Sequence, residues 1–340
     1  MGEFELIKRF FTRATPRAVL GVGDDCALLQ ARAGMQQAIS TDMLVSGRHF
    51  FPDVDPRALG HKALAVNLSD LAACGASPVA FTLALSLPAA DEAWLAPFAQ
   101  GLLALADAHG CELIGGDTTQ GPLNICITVL GEVPHGQALL RSGAQAGDDV
   151  YVSGTLGDAN LALAQLLRQR QGGATDAGAL PLTPQALAQA RQRLEWPTPR
   201  LALGQALRGI ASAAADISDG LLGDLGHILA RSGVGATLDT ARAMALLAAG
   251  HDAAAADWRR DAAQRQRWLQ HVLSGGDDYE LVFTAAPAQR AAVQAAALAN
   301  ATPVTCIGQI DAQAGLRLVD AQGQPVDGAF ASFDHFASAP

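Results

Sequence analysis

The sequence predicts an α/β protein built as two domains, and three observations lead there. Apolar runs of strand length alternate with longer segments of helical spacing. A stretch rich in glycine and polar residues, from Pro134 to Gly147, interrupts that alternation near mid-chain, and a fresh strand starts at Asp149. Six short stretches set aspartate beside glycine, serine or threonine at or near strand-like ends: GVGDD at 21–25, STD at 40–42, NLSD at 67–70, GGDTT at 115–119, DISDG at 216–220 and GGDD at 275–278. At 340 residues the chain is long enough for two cores of ordinary size, which places the domains at 1–137 and 138–340.

Taken in order, residues 3–13 read as an amphipathic helix with Phe4, Ile7, Phe10 and Phe11 on one stripe. Ala38 to Ser40 is strand-like, and PRALGHKALAVNLSDLAACG at 56–75 takes helical spacing after its proline start. VAFTLALSL at 79–87 reads as a buried strand, and residues 91–110 as a helix ended by Gly110. CELIGG and LNICITVLGEV supply two more strands and make the first half a mixed α/β unit. In the second half DVYVSG is a strand, followed by a glycine turn and the helix DANLALAQLLRQR. Alanine-rich helices come next, and strands recur at 281–284, 304–307 and 316–319. The Gly, Ala and Gln-rich patch at 171–179 reads as a loop tip, and no short-period repeat is present, which excludes a solenoid.

Composition excludes several functions. Half of the residues are hydrophobic and 16% are charged, the balance of a well-packed soluble protein. A formal net charge of −10 argues against non-specific nucleic-acid binding, which rewards clustered Lys and Arg. An anionic partner therefore needs cations as a bridge. Lys8 and Lys62 are the only lysines beside 21 arginines, and no GxxxxGKS/T stretch occurs, so the lysine-bearing phosphate loop is absent. The five cysteines, Cys26, Cys74, Cys111, Cys126 and Cys306, are odd in number, sit in apolar stretches and show no CxxC spacing, as expected of reduced thiols in the cytoplasm. MGEFELIKRFF has no long apolar region and no uninterrupted run of ~18 apolar residues occurs, so neither a secretory signal nor a spanning helix is expected.

The aspartate clusters carry the chemistry. Aspartate's short side chain keeps its carboxylate near the backbone, so converging strand ends can form a rigid oxygen cage for hard divalent cations. Asp24 and Asp25 follow two glycines and fit either an exposed turn or such a cage. Ser40, Thr41 and Asp42 arrive together at the end of an apolar run, as metal ligands or as a helix cap. Asp70 interrupts an apolar helix and needs a cation or a donor network beside it. Gly116 and Asp117 close a strand with open backbone N–H groups. Asp216 and Asp219 lie one turn apart around Ser218 and lead into a helix whose N-terminus favours an anion. Asp277 and Asp278 form a turn or a contact for a cationic substrate ring.

These motifs, in this order and spacing from about Glu3 to Phe336, resemble the thiamine-monophosphate kinase family. That family belongs to the superfamily of ATP-binding proteins that includes aminoimidazole ribonucleotide synthetase. The resemblance implies two α/β domains of that fold, an N-terminal mixed sheet joining a second copy as a barrel in a homodimer, and ATP in a cleft formed partly across the dimer. Carried over by motif, Asp24, Ser40, Thr41, Asp42, Asp70, Asp117, Asp216 and Asp219 match magnesium-binding positions. Gly116, Asp117, Arg141 and Ser218 match nucleotide contacts, and His49, Asp277 and Phe333 match positions near thiamine phosphate. Asp42, Asp70 and Asp117 stand as the catalytic set, with Asp42 and Asp117 anchoring one ion and Asp70 helping to bridge others. The chain reads GGDD where the family commonly reads GGED, and FAQG where many relatives carry an aromatic residue before the glycine matching Gly101.

The implied reaction transfers the γ-phosphoryl group of ATP to the phosphate of thiamine monophosphate, with Mg2+ as cofactor. The acceptor oxygen is already ionised, which agrees with the absence of a Ser-His-Asp or Cys-His arrangement. The alternatives are a ligase of the aminoimidazole ribonucleotide synthetase type and a nucleotide-binding scaffold without turnover.

Overall fold

The chain opens on a short helix, α1 (Glu3–Leu6), that widens into a π-helical turn over Ile7–Phe11. Its buried residues are Leu6 and Phe11, five apart, which is the repeat of a π turn. The wider turn takes Phe4 off the buried side and leaves it 83% exposed, so the single stripe expected over 3–13 is not formed. The computed structural model describes residues 2–171, 182–251, 262–328 and 330. It divides into two units, 1–138 and 139–340.

In the first unit a small hairpin, β1 (Ala18–Leu20) and β2 (Leu28–Leu29), carries GVGDD in its loop. Next come β3 (Met35–Val45), α2 (Pro56–Ala73), β4 (Ser77–Leu87), α3 (Glu92–His109), β5 (Glu112–Gln120) and β6 (Asn124–Pro134). The sheet order is β3-β6-β4-β5. β4 and β5 are parallel and joined through α3, whereas β6 is antiparallel to both its neighbours. Asp55 caps α2 by accepting from Arg57 N at 2.9 Å, with Pro56 at the first helical position. Asp91 caps α3 in the same way, and Gly110 ends it at φ 59°.

α2 is buried on nearly every side, with Leu59, Leu64, Leu68 and Leu71 at most 1% exposed, because the sheet covers one flank and α3 the other. Glycines set the approach of the two helices. A Cβ at Gly60 would lie 2.0 Å from Phe98 O, and one at Gly101 would lie 1.9 Å from Arg57 O. The FAQG segment is thus a helix-packing element, with Gln100 exposed and Gly101 buried. Gly101→Ala is expected to force the backbones apart and destabilise the protein by about 2 kcal/mol, read as a lowered urea midpoint. An unchanged midpoint would contradict this packing.

The second unit contains β7 (Asp149–Ser153), α4 (Asp158–Arg170), α5 (Pro184–Glu195), α6 (Leu201–Ala206), β8 (Ala213–Ile217), α7 (Leu221–Ser232) and β9 (Gly235–Asp239). It continues with α8 (Thr240–Met244), α9 (Ala262–Ser274), β10 (Glu280–Ala285), α10 (Arg290–Ala299), β11 (Val304–Asp311) and β12 (Gly315–Val319). Its six strands run in the order β12-β9-β11-β7-β10-β8, antiparallel except for the β12–β9 pair. β7, β8 and β10 are buried along their whole length. Trp268, Leu221, Leu225 and Ile228, all fully buried, pack in the core beside them. β8 and β9 lie in the region expected to be alanine-rich helix. Of the loop tip expected at 171–179, Gln171 caps α4 and 172–179 lie outside the described residues. No helix among the described residues is long and apolar enough to cross a membrane, and all five cysteines are free thiols.

Candidate active site

The singled-out residues gather into three groups, two on the first unit and one on the second. The first group lies where α2 crosses β3. Ser40 and Asp42 sit in the middle of an eleven-residue strand, not at its end. Ser40 Oγ donates to Asp70 Oδ2 at 2.5 Å, so α2 brings its aspartate onto the strand. One turn earlier Asn67, 1% exposed, accepts from Asp42 N at 3.1 Å and donates to Ala63 O at 3.0 Å. Asn67 therefore fixes the backbone that presents Asp42, a role carried by the first letter of NLSD. Thr41 points to the opposite face, where its hydroxyl meets that of Thr128 at 2.8 Å. His49 closes the turn after β3, its Nδ1 accepting from Val45 N at 2.9 Å.

The second group surrounds a cleft of about 880 Å³ in the first unit. Asp24 and Asp25 from the hairpin loop, Gly116, Asp117 and Thr118 from β5, and Lys8 from the π turn line it, with Phe4, Ile7 and Phe11 as an apolar wall. Gly116 has φ 147°, and a Cβ there would lie 1.9 Å from Leu83 O, so only glycine allows β5 this approach to β4. Lys8 is a polar lining residue that no sequence motif pointed to.

Register separates these two groups. β3 and β5 are opposite edges of the sheet. Asp42 pairs with Ile127, which pairs with Leu83, which pairs with Gly116; Asp117 belongs to the next row, with Ala84, Cys126 and Met43. Asp42 and Asp117 are thus three strand spacings apart, roughly 14 Å, and face opposite sides of the sheet. Within one chain they do not anchor one ion. Among the described residues no three His, Cys, Asp or Glu side chains converge into a ready metal-binding group.

The third group joins two loops of the second unit. Asp216, 4% exposed, is the penultimate residue of β8, while Ser218 and Asp219 follow in the turn before α7, which starts at Leu221. The two aspartates therefore flank a strand-to-helix turn and not a turn of helix. Asp224, 3% exposed on α7, accepts from Ser218 N at 3.0 Å and Asp219 N at 3.1 Å through one oxygen, Oδ2. Burial pushes its carboxyl up to about 6; the two amides and the Arg141 guanidinium oppose that rise, and the Asp219 carboxylate adds to it. The GGDD loop is stitched alongside, with Asp277 N donating to Ser218 O at 2.9 Å and Tyr279 N to Ile217 O at 2.8 Å. Asp277 and Tyr279 hold φ 68° and 51°, left-handed values that are strained for side-chain-bearing residues. Asp278 turns inward, 1% exposed, where its Oδ2 accepts from Gly157 N at 2.9 Å and burial raises its carboxyl well above the usual range. Phe333 lies outside the described residues.

The aspartate, serine and threonine side chains at these groups are hard oxygen donors, the kind that suits magnesium over softer metals. The family models agree with the two-unit division: residues 23–133 match the AIR synthase related protein N-terminal domain and 145–321 its C-terminal domain. Fold and site thus define an AIR synthase related protein. The chain is 47% identical to the thiamine-monophosphate kinase of Salmonella typhimurium, with 99% of each covered. It is similar to the crystal structure of thiamine-monophosphate kinase from Stenotrophomonas maltophilia K279a, at 45% identity and a TM-score of 0.78, over 95% of this chain and 96% of that one. It also resembles AaThiL complexed with AMPPCP and TMP, at 28% identity and a TM-score of 0.72, over 90% and 89% of the two chains. The chain belongs to the thiamine-monophosphate kinase family.

Proposed function

We propose that this protein transfers the γ-phosphoryl group of ATP to the phosphate of thiamine monophosphate, giving thiamine diphosphate and ADP. The observation that carries the reading is end-to-end identity of 47% with a thiamine-monophosphate kinase. The similarity to a relative complexed with AMPPCP and TMP supports ATP as the co-substrate. A P–O bond forms between a phosphate oxygen of the acceptor and the γ-phosphorus as the bond to the β-phosphate oxygen breaks. The attacking oxygen is already ionised, so the residues have no proton to abstract. His49 fits this, since its Nδ1 is committed to Val45 N.

What the protein must supply is in-line alignment and relief of repulsion between two anions. Bound Mg2+ supplies charge neutralisation at the transferring group, and the residues that would hold such ions are Ser40, Asp42 and Asp70 on one face of β3, Thr41 on its other face, Asp24 and Asp117 at the cleft, and Asp216 and Asp219 at the turn before α7. Gly116, Arg141 and Ser218 would contact the nucleotide, and His49, Asp277 and Phe333 the thiamine phosphate. The first unit would serve ATP and Mg2+ binding and dimerisation. A homodimer is supported by the edge strand β3, where Ile39 and Met43 are 61% and 53% exposed. A second copy also answers the separation of Asp42 from Asp117. The expected setting is the cytoplasm.

Incubation with ATP, Mg2+ and thiamine monophosphate is expected to give thiamine diphosphate, detected directly, while unphosphorylated thiamine is left unchanged. Formation of ADP without thiamine diphosphate would reject the reaction.

A further inference from the structure

We propose that Asp224 is a positioning residue that sets the 216–219 turn to receive a metal-carried phosphate. The inference rests on the reading of Asp216, Ser218 and Asp219 as ligand-facing groups. An open turn at a helix N-terminus offers its amides to anions. Here two successive amides, Ser218 N and Asp219 N, are already spent on one buried carboxylate oxygen of Asp224. The carbonyl of the same turn is held from the other side, since Ser218 O accepts from Asp277 N at 2.9 Å. Gly220, at φ 114°, leaves no slack, because a Cβ there would lie 2.7 Å from Ser274 O.

With the backbone clamped, the turn meets a ligand through the Asp216 and Asp219 carboxylates and the Ser218 hydroxyl. That set repels a free phosphate and accepts a dication. Asp224 acts on the ligand only through the geometry of these groups, as an outer partner does at a metal site.

The test uses the full-length protein. Hydrogen exchange of the peptide spanning Ser218 and Asp219 is expected to be at least about 10-fold faster in Asp224→Ala than in the parent. The half-saturating Mg2+ concentration for turnover is expected to rise by about 10-fold or more. Asp224→Asn keeps a carbonyl oxygen for both amides and is expected to retain the parent's slow exchange. Unchanged exchange or unchanged Mg2+ dependence in a folded Asp224→Ala protein would overturn the proposal. If that variant does not fold, Asp224→Asn decides alone, and fast exchange there overturns it. Lack of thiamine diphosphate formation by the parent counts against the proposed reaction and leaves the exchange readout intact.

Discussion

Glu280→Ala is expected to lower the stability of the second unit by about 3 kcal/mol or more. Glu280, fully buried, is the first residue of β10. Arg200 grips it with two bonds, Nε to Oε2 at 2.6 Å and Nη2 to Oε1 at 2.5 Å, while Arg193 Nη2 reaches Oε1 at 2.6 Å and Ser153 Oγ donates to Oε2 at 2.6 Å. Both guanidiniums are themselves at most one-fifth exposed. Deleting the carboxylate leaves two positive charges without their partner in a low-dielectric site, the costly way to break a buried ion pair. Glu280→Gln keeps the shape and an acceptor, so its loss should be smaller. Urea unfolding of both variants tests this, and an Ala variant as stable as the parent would refute the account. Because Glu280 pairs with Ile217, next to Asp216, activity should fall with the folded fraction.

This network was not legible in the sequence. YELV reads as an ordinary strand, and the two arginines lie 80 and 87 residues away. Local signals were readable where a local cause fixes the structure. Asp91 and Gly110 bracket α3, and Pro56 starts α2, because capping acts within one turn. β9 was hidden, and β8 showed only as the strand-like end at DISDG, for the opposite reason. Ala213, Ala214 and Ala215 favour helix by propensity, yet small side chains are what a strand buried on both faces accommodates, and tertiary packing decided. The aspartate clusters pointed to cation chemistry by their residue types, but not to their division among three separate groups. Their partners did not show. Asn67, Asp224 and Lys8 look like ordinary helical polar residues until the chain folds back on itself. The distance between Asp42 and Asp117 is likewise set by strand order, which no spacing along the chain encodes.

Asp42→Asn and Asp117→Asn are each expected to reduce turnover by on the order of 100-fold or more while leaving the melting temperature close to that of the parent. The magnitude follows from losing several kcal/mol of charge stabilisation at the phosphoryl group, at roughly 1.4 kcal/mol per tenfold. Stability should hold because the bond from Asp42 N to Asn67 is kept in the Asn variant, and because amide replaces carboxylate without change of size. Comparable losses in melting temperature and activity would count against both assignments.

Mixing the two inactive variants goes further. If each site takes Asp42 from one copy and Asp117 from the other, a mixed dimer has one doubly damaged site and one intact site. Random reassortment makes half of the dimers mixed, so about a quarter of the parent activity should return. If both carboxylates act within one chain, no mixture contains an intact site and nothing returns. The opposite edges occupied by β3 and β5 favour recovery, and a mixture that stays inactive after subunit exchange has been verified would exclude the shared site.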